Sequence, residues 1–142
     1  MIRSSTLNKH SKNTVPQLLK KAVTVFNEYI RIRDQKNGMF HCISCGQMKS
    51  LDQMNAGHYM SAGLHNSTRF HEDNCAGQCI KCNCYMSGNL LEYRRRLIDK
   101  IGLDKVESLE IRAKMPCKLD RYTLSSIIEE YKEKVKQLKE KI

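Results

Sequence analysis

Two Cys-x-x-Cys pairs, Cys42/Cys45 and Cys79/Cys82, lie 33 residues apart in a chain of 142. Four thiolates from two such knuckles suit a tetrahedral structural zinc with Zn–S bonds of about 2.3 Å and no open coordination position. The pairing is a strong signal, because two such pairs rarely arise in so short a chain without a metal. The cysteine total is seven, an odd number. In a reducing compartment, paired cysteines at this spacing bind metal more often than they form disulfides. Cys75, Cys84 and Cys117 are left over, and buried inert thiols are the default for all three. Cys75 or Cys84 is also a candidate substitute ligand.

A metal would help this chain hold together. Apolar residues make up 40% of it, with no Trp and three Phe, enough for one compact domain with a modest core. No apolar run approaches the roughly 20 residues of a membrane span, and the polar start MIRSSTLNKHSKN has no secretory character. These features lead us to expect a soluble cytoplasmic protein. The formal net charge is +10, and residues 1–40 alone hold eight Lys/Arg against two acids. Such a balance points to an anionic partner, nucleic acid among the candidates, and says nothing of chemistry.

The spacing of apolar residues sets the expected elements. Residues 1–13 read as a flexible basic arm. Thr14 followed by Val15-Pro16 is a helix start, and Leu18, Leu19, Ala22, Val23, Phe26, Tyr29 and Ile30 recur at helical spacing within an amino-terminal helical unit, 14–38, that closes at the Asn37-Gly38 turn. Residues 39–102 form the expected zinc-stabilised core, ending in a helix from Asn89 to the terminator Gly102. A carboxy-terminal helical region, 103–142, follows. Its last helix, 123–142, carries Leu124, Ile127, Ile128, Tyr131, Val135, Leu138 and Ile142 near heptad spacing. That stripe is a candidate homodimer seam or a face for its own chain. The fold class expected is α+β and mostly helical.

A zinc closed by four thiolates cannot activate water, so any chemistry must come from residues that the metal positions. His58 lies in the Gly-flanked segment between the knuckles, and Asn83 directly follows the last cysteine. Imidazole titrates near neutrality and accepts a proton from water, and an amide oxygen is a hard ligand that suits Mg²⁺. A hairpin folded back on a helix would let both point into one cleft. Taken singly, Asn74 is a turn residue, Asn83 a helix cap, and His41, His65 and His71 structural residues or surface contacts.

The order C-x-x-C, Gly-His, Asn74, C-x-x-C-Asn resembles an HNH or His-Me finger nuclease, with an endonuclease VII-like zinc layout. The stretches YIRIRD, HCISCG, AGHYMSAG, RFHEDNCAGQCIKCN and SGNLLEYRRRLIDKIG resemble more closely the lambdoid phage NinG (Rap) recombination proteins, over about residues 29–102. The resemblance implies a small ββα-metal core and a DNA endonuclease acting on branched recombination intermediates such as Holliday junctions or D-loops. It would work in the bacterial host's cytoplasm as a phage or prophage protein. Carried over, His58 matches the general base, Asn74 the residue that fixes the base's loop, and Asn83 the ligand of a catalytic Mg²⁺ or Mn²⁺. Where many such nucleases place a second metal ligand, this chain has Gly57, so Asn55 or a backbone oxygen is the candidate. Arg69 is the first candidate phosphate contact, with Arg31, Arg33, Arg94 and Arg95 as further DNA-binding candidates. Relative to longer NinG proteins, the chain is expected to lack an amino-terminal segment. The alternative is a non-catalytic zinc-stabilised protein that holds branched DNA by shape and charge. A third reading, a zinc-containing protein-interaction or ribosome-associated module, rests on charge and the last helix.

Overall fold

The computed structural model describes residues 4–142. Its helices are α1 (Ser4–Lys9), α2 (Val15–Asp34), α3 (Asn66–Arg69), α4 (Leu90–Ile101), α5 (Leu103–Ala113) and α6 (Arg121–Glu140). Four short strands, β1 (Met39–His41), β2 (Met48–Ser50), β3 (Met54–His58) and β4 (Cys75–Cys79), form two antiparallel two-stranded sheets, β1-β2 and β3-β4. The class is therefore α+β and mostly helical, as the periodicity leads one to expect.

Local chemistry sets the helix ends. Thr14 caps α2 through a reciprocal pair, Gln17 N–H to Thr14 Oγ1 at 3.3 Å and Thr14 N–H to Gln17 Oε1 at 2.8 Å, with Pro16 in the first turn. Asp120 caps α6 by accepting from Thr123 N–H at 2.8 Å. At the far end of α2 the chain reverses at Asn37-Gly38, both with positive φ, and Lys36 and Met39 exchange backbone hydrogen bonds. The left-handed pair is the conformation a tight two-residue turn requires.

The longest helices pack side by side in the same direction. Leu18 and Ala22 of α2 meet Leu124 and Ile128 of α6, and Val25, Phe26 and Ile30 meet Tyr131 and Val135. Phe26 stacks edge-on against both Phe70 and Tyr131, at 5.5 and 4.9 Å between centroids. The apolar stripe of α6 is thus covered within its own chain from Leu124 to Val135, while Leu138 is half-buried and Ile142 exposed. The basic arm expected over 1–13 needs correcting too. From Ser4 it is helical, and at its end His10 is buried with Nε2 2.8 Å from Glu129 Oε1 of α6. Residues 1–3 of that expected arm lie outside the described residues.

The β3-β4 hairpin lies between two helical layers. Alternation sends Ala56, His58 and Cys75 toward α2, while Ala76 joins Tyr93 and Leu97 of α4 and Val106 and Leu109 of α5 on the opposite face. All five residues of β4 are buried. Ile128→Ala is expected to lower the unfolding free energy by about 2–5 kcal/mol in urea denaturation, since a fully buried aliphatic group is lost between α2 and α6.

Candidate functional site

The four knuckle cysteines converge, with their Sγ atoms all within 4.8 Å of one another. Cys45 and Cys79 Sγ are 4.0 Å apart, near the roughly 3.8 Å edge of a tetrahedron with 2.3 Å Zn–S bonds. Cys42 Sγ accepts the backbone N–H groups of Cys45 at 3.5 Å and Cys79 at 3.3 Å. Burial works against the Cys42 thiolate, but these N–H groups and that of Ser44 outweigh it and bring the thiol down to about 7. The donor set could hold a metal such as zinc, and three of the four cysteines are buried, which suits a structural site closed to substrate. Neither Cys75 nor Cys84 replaces a ligand. Cys75 is buried under α2, whereas Cys84 and Cys117 are exposed, contrary to the buried inert thiols expected.

Two polar side chains, Gln78 of β4 and Arg96 of α4, tie the first knuckle to the hairpin and to α4. Gln78 Nε2 donates to Ser44 Oγ at 2.8 Å and to Gly88 O at 2.6 Å, and Arg96 bonds the carbonyls of Ser44 and Cys45 at 3.0 and 3.3 Å. The fully buried Gln78 amide crosses Gly57 so closely that a Cβ at that position would lie 2.0 Å from Gln78 Oε1. The space beside His58 that a side chain at position 57 would need is filled, and Gly57 carries only its carbonyl, bonded by Tyr93 Oη at 2.7 Å.

His58 ends β3, opposite Cys75. Its Nε2 lies 2.9 Å from Arg69 O. A carbonyl only accepts, so Nε2 must carry the proton and Nδ1 is left with a lone pair. Nδ1 faces Cys75 Sγ at 3.9 Å, a thiol that burial pushes up to about 12. Burial lowers the His58 pKa, partly offset by the Arg69 carbonyl, and the nearby Arg69 charge lowers it further. The imidazole is therefore neutral at pH 7. Among the described residues the Arg69 guanidinium has no ion pair, and its Nε is buried without a partner.

Asn74 is fully buried and clamps the loop after His58: Oδ1 accepts Met60 N–H at 2.8 Å, while Nδ2 donates to Met60 O at 3.0 Å and Thr68 O at 3.1 Å. Asn83 lies half-buried in a π-helical turn, Lys81–Tyr85, and its side chain makes no hydrogen bond among the described residues. Asn55 Nδ2 lies 3.6 Å from Cys84 Sγ, beside that turn, leaving its Oδ1 unpartnered. The carboxamides of Asn55 and Asn83 thus belong to the cysteine end of the hairpin and are hard oxygen donors of the kind Mg²⁺ accepts. His58 occupies the other end, and no hydrogen bond joins it to either. The single cleft expected for His58 and Asn83 is not formed by any contact between them.

The arginines divide. Arg33 is not a free DNA contact: it pairs with Asp34 at 2.7 Å and donates to Glu72 O and Cys75 O at 3.0 and 2.7 Å. Arg94 forms a two-pronged pair with Glu110 at 2.9 and 3.0 Å. Arg31 is exposed, and the exposed Arg95 pairs with Glu92 one turn away. His65 and His71 are structural as expected, bonding Ala113 O at 3.1 Å and Asp73 N–H at 3.2 Å, and His41 is exposed.

Sequence reasoning missed Asp34, Glu72 and Gln78. Asp34 accepts Gly77 N–H at 2.8 Å. Burial alone would raise its pKa, but Arg33, Lys100 and Gly77 hold it low. Glu72 gathers Tyr29, Tyr131 and Lys134 at 2.9, 2.9 and 2.7 Å, which likewise outweigh burial and lower its pKa. Gly77 lies 43 residues from Asp34, Tyr29 lies 43 from Glu72 and Ser44 lies 34 from Gln78, so no local signal marked them.

Comparison with known proteins agrees with this arrangement of motifs. The family described as Bacteriophage Lambda NinG protein matches residues 3–141. The chain belongs to the NinG family. Protein ninG of Salmonella phage P22 is 38% identical over 125 residues, covering 86% of this chain and 58% of that protein. Protein ninG of Escherichia phage lambda is 37% identical over 124 residues, covering 85% and 57%, and that of Escherichia phage 933W is 41% identical over 92 residues, covering 65% and 44%. The chain thus spans little more than half the length of the NinG relatives it matches. No solved structure matches it.

Two outcomes are expected for this NinG chain. Cys79→Ser/Cys82→Ser should abolish tightly held zinc in metal analysis and lower the thermal midpoint, whereas Cys117→Ser should do neither. Gly57→Ala should cost about 1–3 kcal/mol in urea denaturation through overpacking against Gln78, and Gln78→Ala in the same chain should relieve part of it.

Proposed function

We propose that this NinG-family chain is a metal-dependent endonuclease acting on branched double-stranded DNA, such as four-way junctions or D-loops, during phage recombination in the host cytoplasm. One observation carries the reading: Arg69 O fixes the His58 tautomer so that Nδ1 is the basic nitrogen, with the unpaired Arg69 guanidinium beside it. A neutral, oriented imidazole next to a free cation is what phosphodiester hydrolysis asks of a protein. The ββα-metal likeness supports it, with β3-β4 and the turn after Cys82 as the corresponding pieces and a zinc as their structural staple.

In this scheme His58 Nδ1 exchanges its weak contact with the Cys75 thiol, 3.9 Å away, for the attacking water, and takes a proton from it as the water oxygen bonds to phosphorus and the bond to the 3′-oxygen breaks. Arg69 pairs with a non-bridging phosphate oxygen. Asn74 acts by holding residues 60–68 in place. Asn83 and Asn55 would hold Mg²⁺ or Mn²⁺, which when bound would neutralise the phosphate and the leaving oxygen. Arg31, and Arg95 when released from Glu92, would meet flanking phosphates.

The separation of His58 and Asn83 along the hairpin favours a second reading, a zinc-stabilised protein that binds branched DNA without cutting it. Cleavage of a labelled four-way junction, beside linear duplex of the same sequence, separates the two. With Mg²⁺, wild type should cut the junction and His58→Ala should cut it about 10²–10⁴-fold more slowly, with binding retained. Because the His58 pKa lies below 6.5, the basic form is lost only as pH falls beneath that value. The wild-type rate should therefore climb with pH below 6.5 and be level by neutrality. Junction binding with no cutting under any metal or pH condition would replace the nuclease by the second reading.

A further inference from the structure

The turn that carries Asn83 also carries an apolar surface that the chain leaves uncovered. Tyr85 is 83% exposed and Leu91 87%, with Met86 and Leu90 each 45% exposed. These are four large apolar side chains within seven positions. Single exposed apolar residues are ordinary, but a cluster of them marks a contact surface.

The backbone beneath the cluster is held in place. Gly88 N–H bonds Cys82 O at 2.9 Å, Asn89 N–H bonds Met86 O at 2.8 Å, and Asn89 Nδ2 reaches Cys82 Sγ at 3.5 Å. From the other side, Gly88 O accepts from Ser44 Oγ at 3.2 Å and from Gln78 Nε2. An aromatic ring mounted on a turn pinned to the cysteine cluster loses little freedom when it meets a flat partner.

Charge says what that partner is. Between Asp73 and Glu92 the sequence has no acidic residue, and Lys81 is its one charged side chain. Asn83, Ser87 and Asn89 supply the polar rim. An apolar platform four residues from Lys81, whose adjoining acid Glu92 is paired to Arg95, suits a nucleobase, whose flat face stacks on an aromatic ring while its phosphate lies near positive charge.

We propose that Tyr85, with Leu91 and Met86, is a stacking platform for an unpaired or unstacked base at a DNA branch point. This rests on the nuclease or DNA-binding reading above and adds the element that selects branches. In intact duplex the base faces are covered by their neighbours and offer Tyr85 nothing. At a branch they are open. One residue, Cys84, separates Tyr85 from Asn83, so stacking would set the branch point beside the proposed metal ligand.

The test uses the zinc-loaded chain with Ca²⁺ in place of Mg²⁺, and a four-way junction carrying 2-aminopurine at the branch. Wild type and Tyr85→Phe should change the probe's fluorescence on binding. Tyr85→Ser should abolish that change and weaken junction binding about tenfold, with affinity for linear duplex unaltered. Because Tyr85 is exposed, zinc content and thermal midpoint should match wild type. Junction binding and a probe signal indifferent to Tyr85→Ser would overturn this inference alone. A wild type that binds neither DNA would overturn the underlying reading and this inference with it. Sedimentation showing a DNA-free dimer that Tyr85→Ser dissociates would assign the patch to a second copy of the chain instead.

Discussion

β4 is a buried strand with a partner strand on one side only. Its other edge would carry unpaired backbone groups inside the protein, each costly to leave without a hydrogen bond. Every group on that edge that is met is met by something other than a strand. Asp34 accepts from Gly77 N–H, Ile43 N–H donates to Gly77 O, Arg33 donates to Cys75 O, and Cys42 Sγ accepts from Cys79 N–H. The end of α2 and the first cysteine knuckle thus stand in for a third strand. The arrangement of the rest follows, because α2 brings α6 to one face of the hairpin while α4 and α5 close the other.

This arrangement explains how residues are divided between architecture and chemistry. Arg33 and Arg94 look in sequence like their neighbours Arg31 and Arg95. Yet Arg33 is drawn inward by the carbonyls of β4 and by Asp34, and Arg94 by Glu110, whose carboxylate also accepts Tyr59 Oη. Arg69 is different in kind. Its backbone carbonyl orients His58 while its charged end finds no acidic partner among the described residues. Cation and imidazole thus sit together, an arrangement that a merely basic surface does not have.

Much of the fold was legible in the sequence because the signals were local or periodic. The capping of α2 by Thr14, the Asn37-Gly38 turn and the stop at Gly102 depend on neighbours within a few positions, and the two Cys-x-x-Cys pairs announce their own convergence. Asn74 was legible through its place in the motif, and its clamp on Met60 and Thr68 gives that place a physical meaning. The role of the 123–142 stripe was not legible. A near-heptad pattern shows that a helix must cover one face and is silent on whether the cover is another chain or, as here, α2.

The sequence by itself determined the two cysteine pairs that could hold a metal, the helices and their apolar faces, the basic character, and the set of residues in which chemistry could reside. Each of these follows from residue type and spacing alone. Only the tertiary structure decided which histidine nitrogen is basic, that Gly57 leaves no space for a ligand because Gln78 fills it, and which arginines are free. Those outcomes depend on contacts between groups 11 to 43 residues apart in the chain, such as His58 with Arg69 and Asp34 with Gly77, and the order of residues carries no local mark of them.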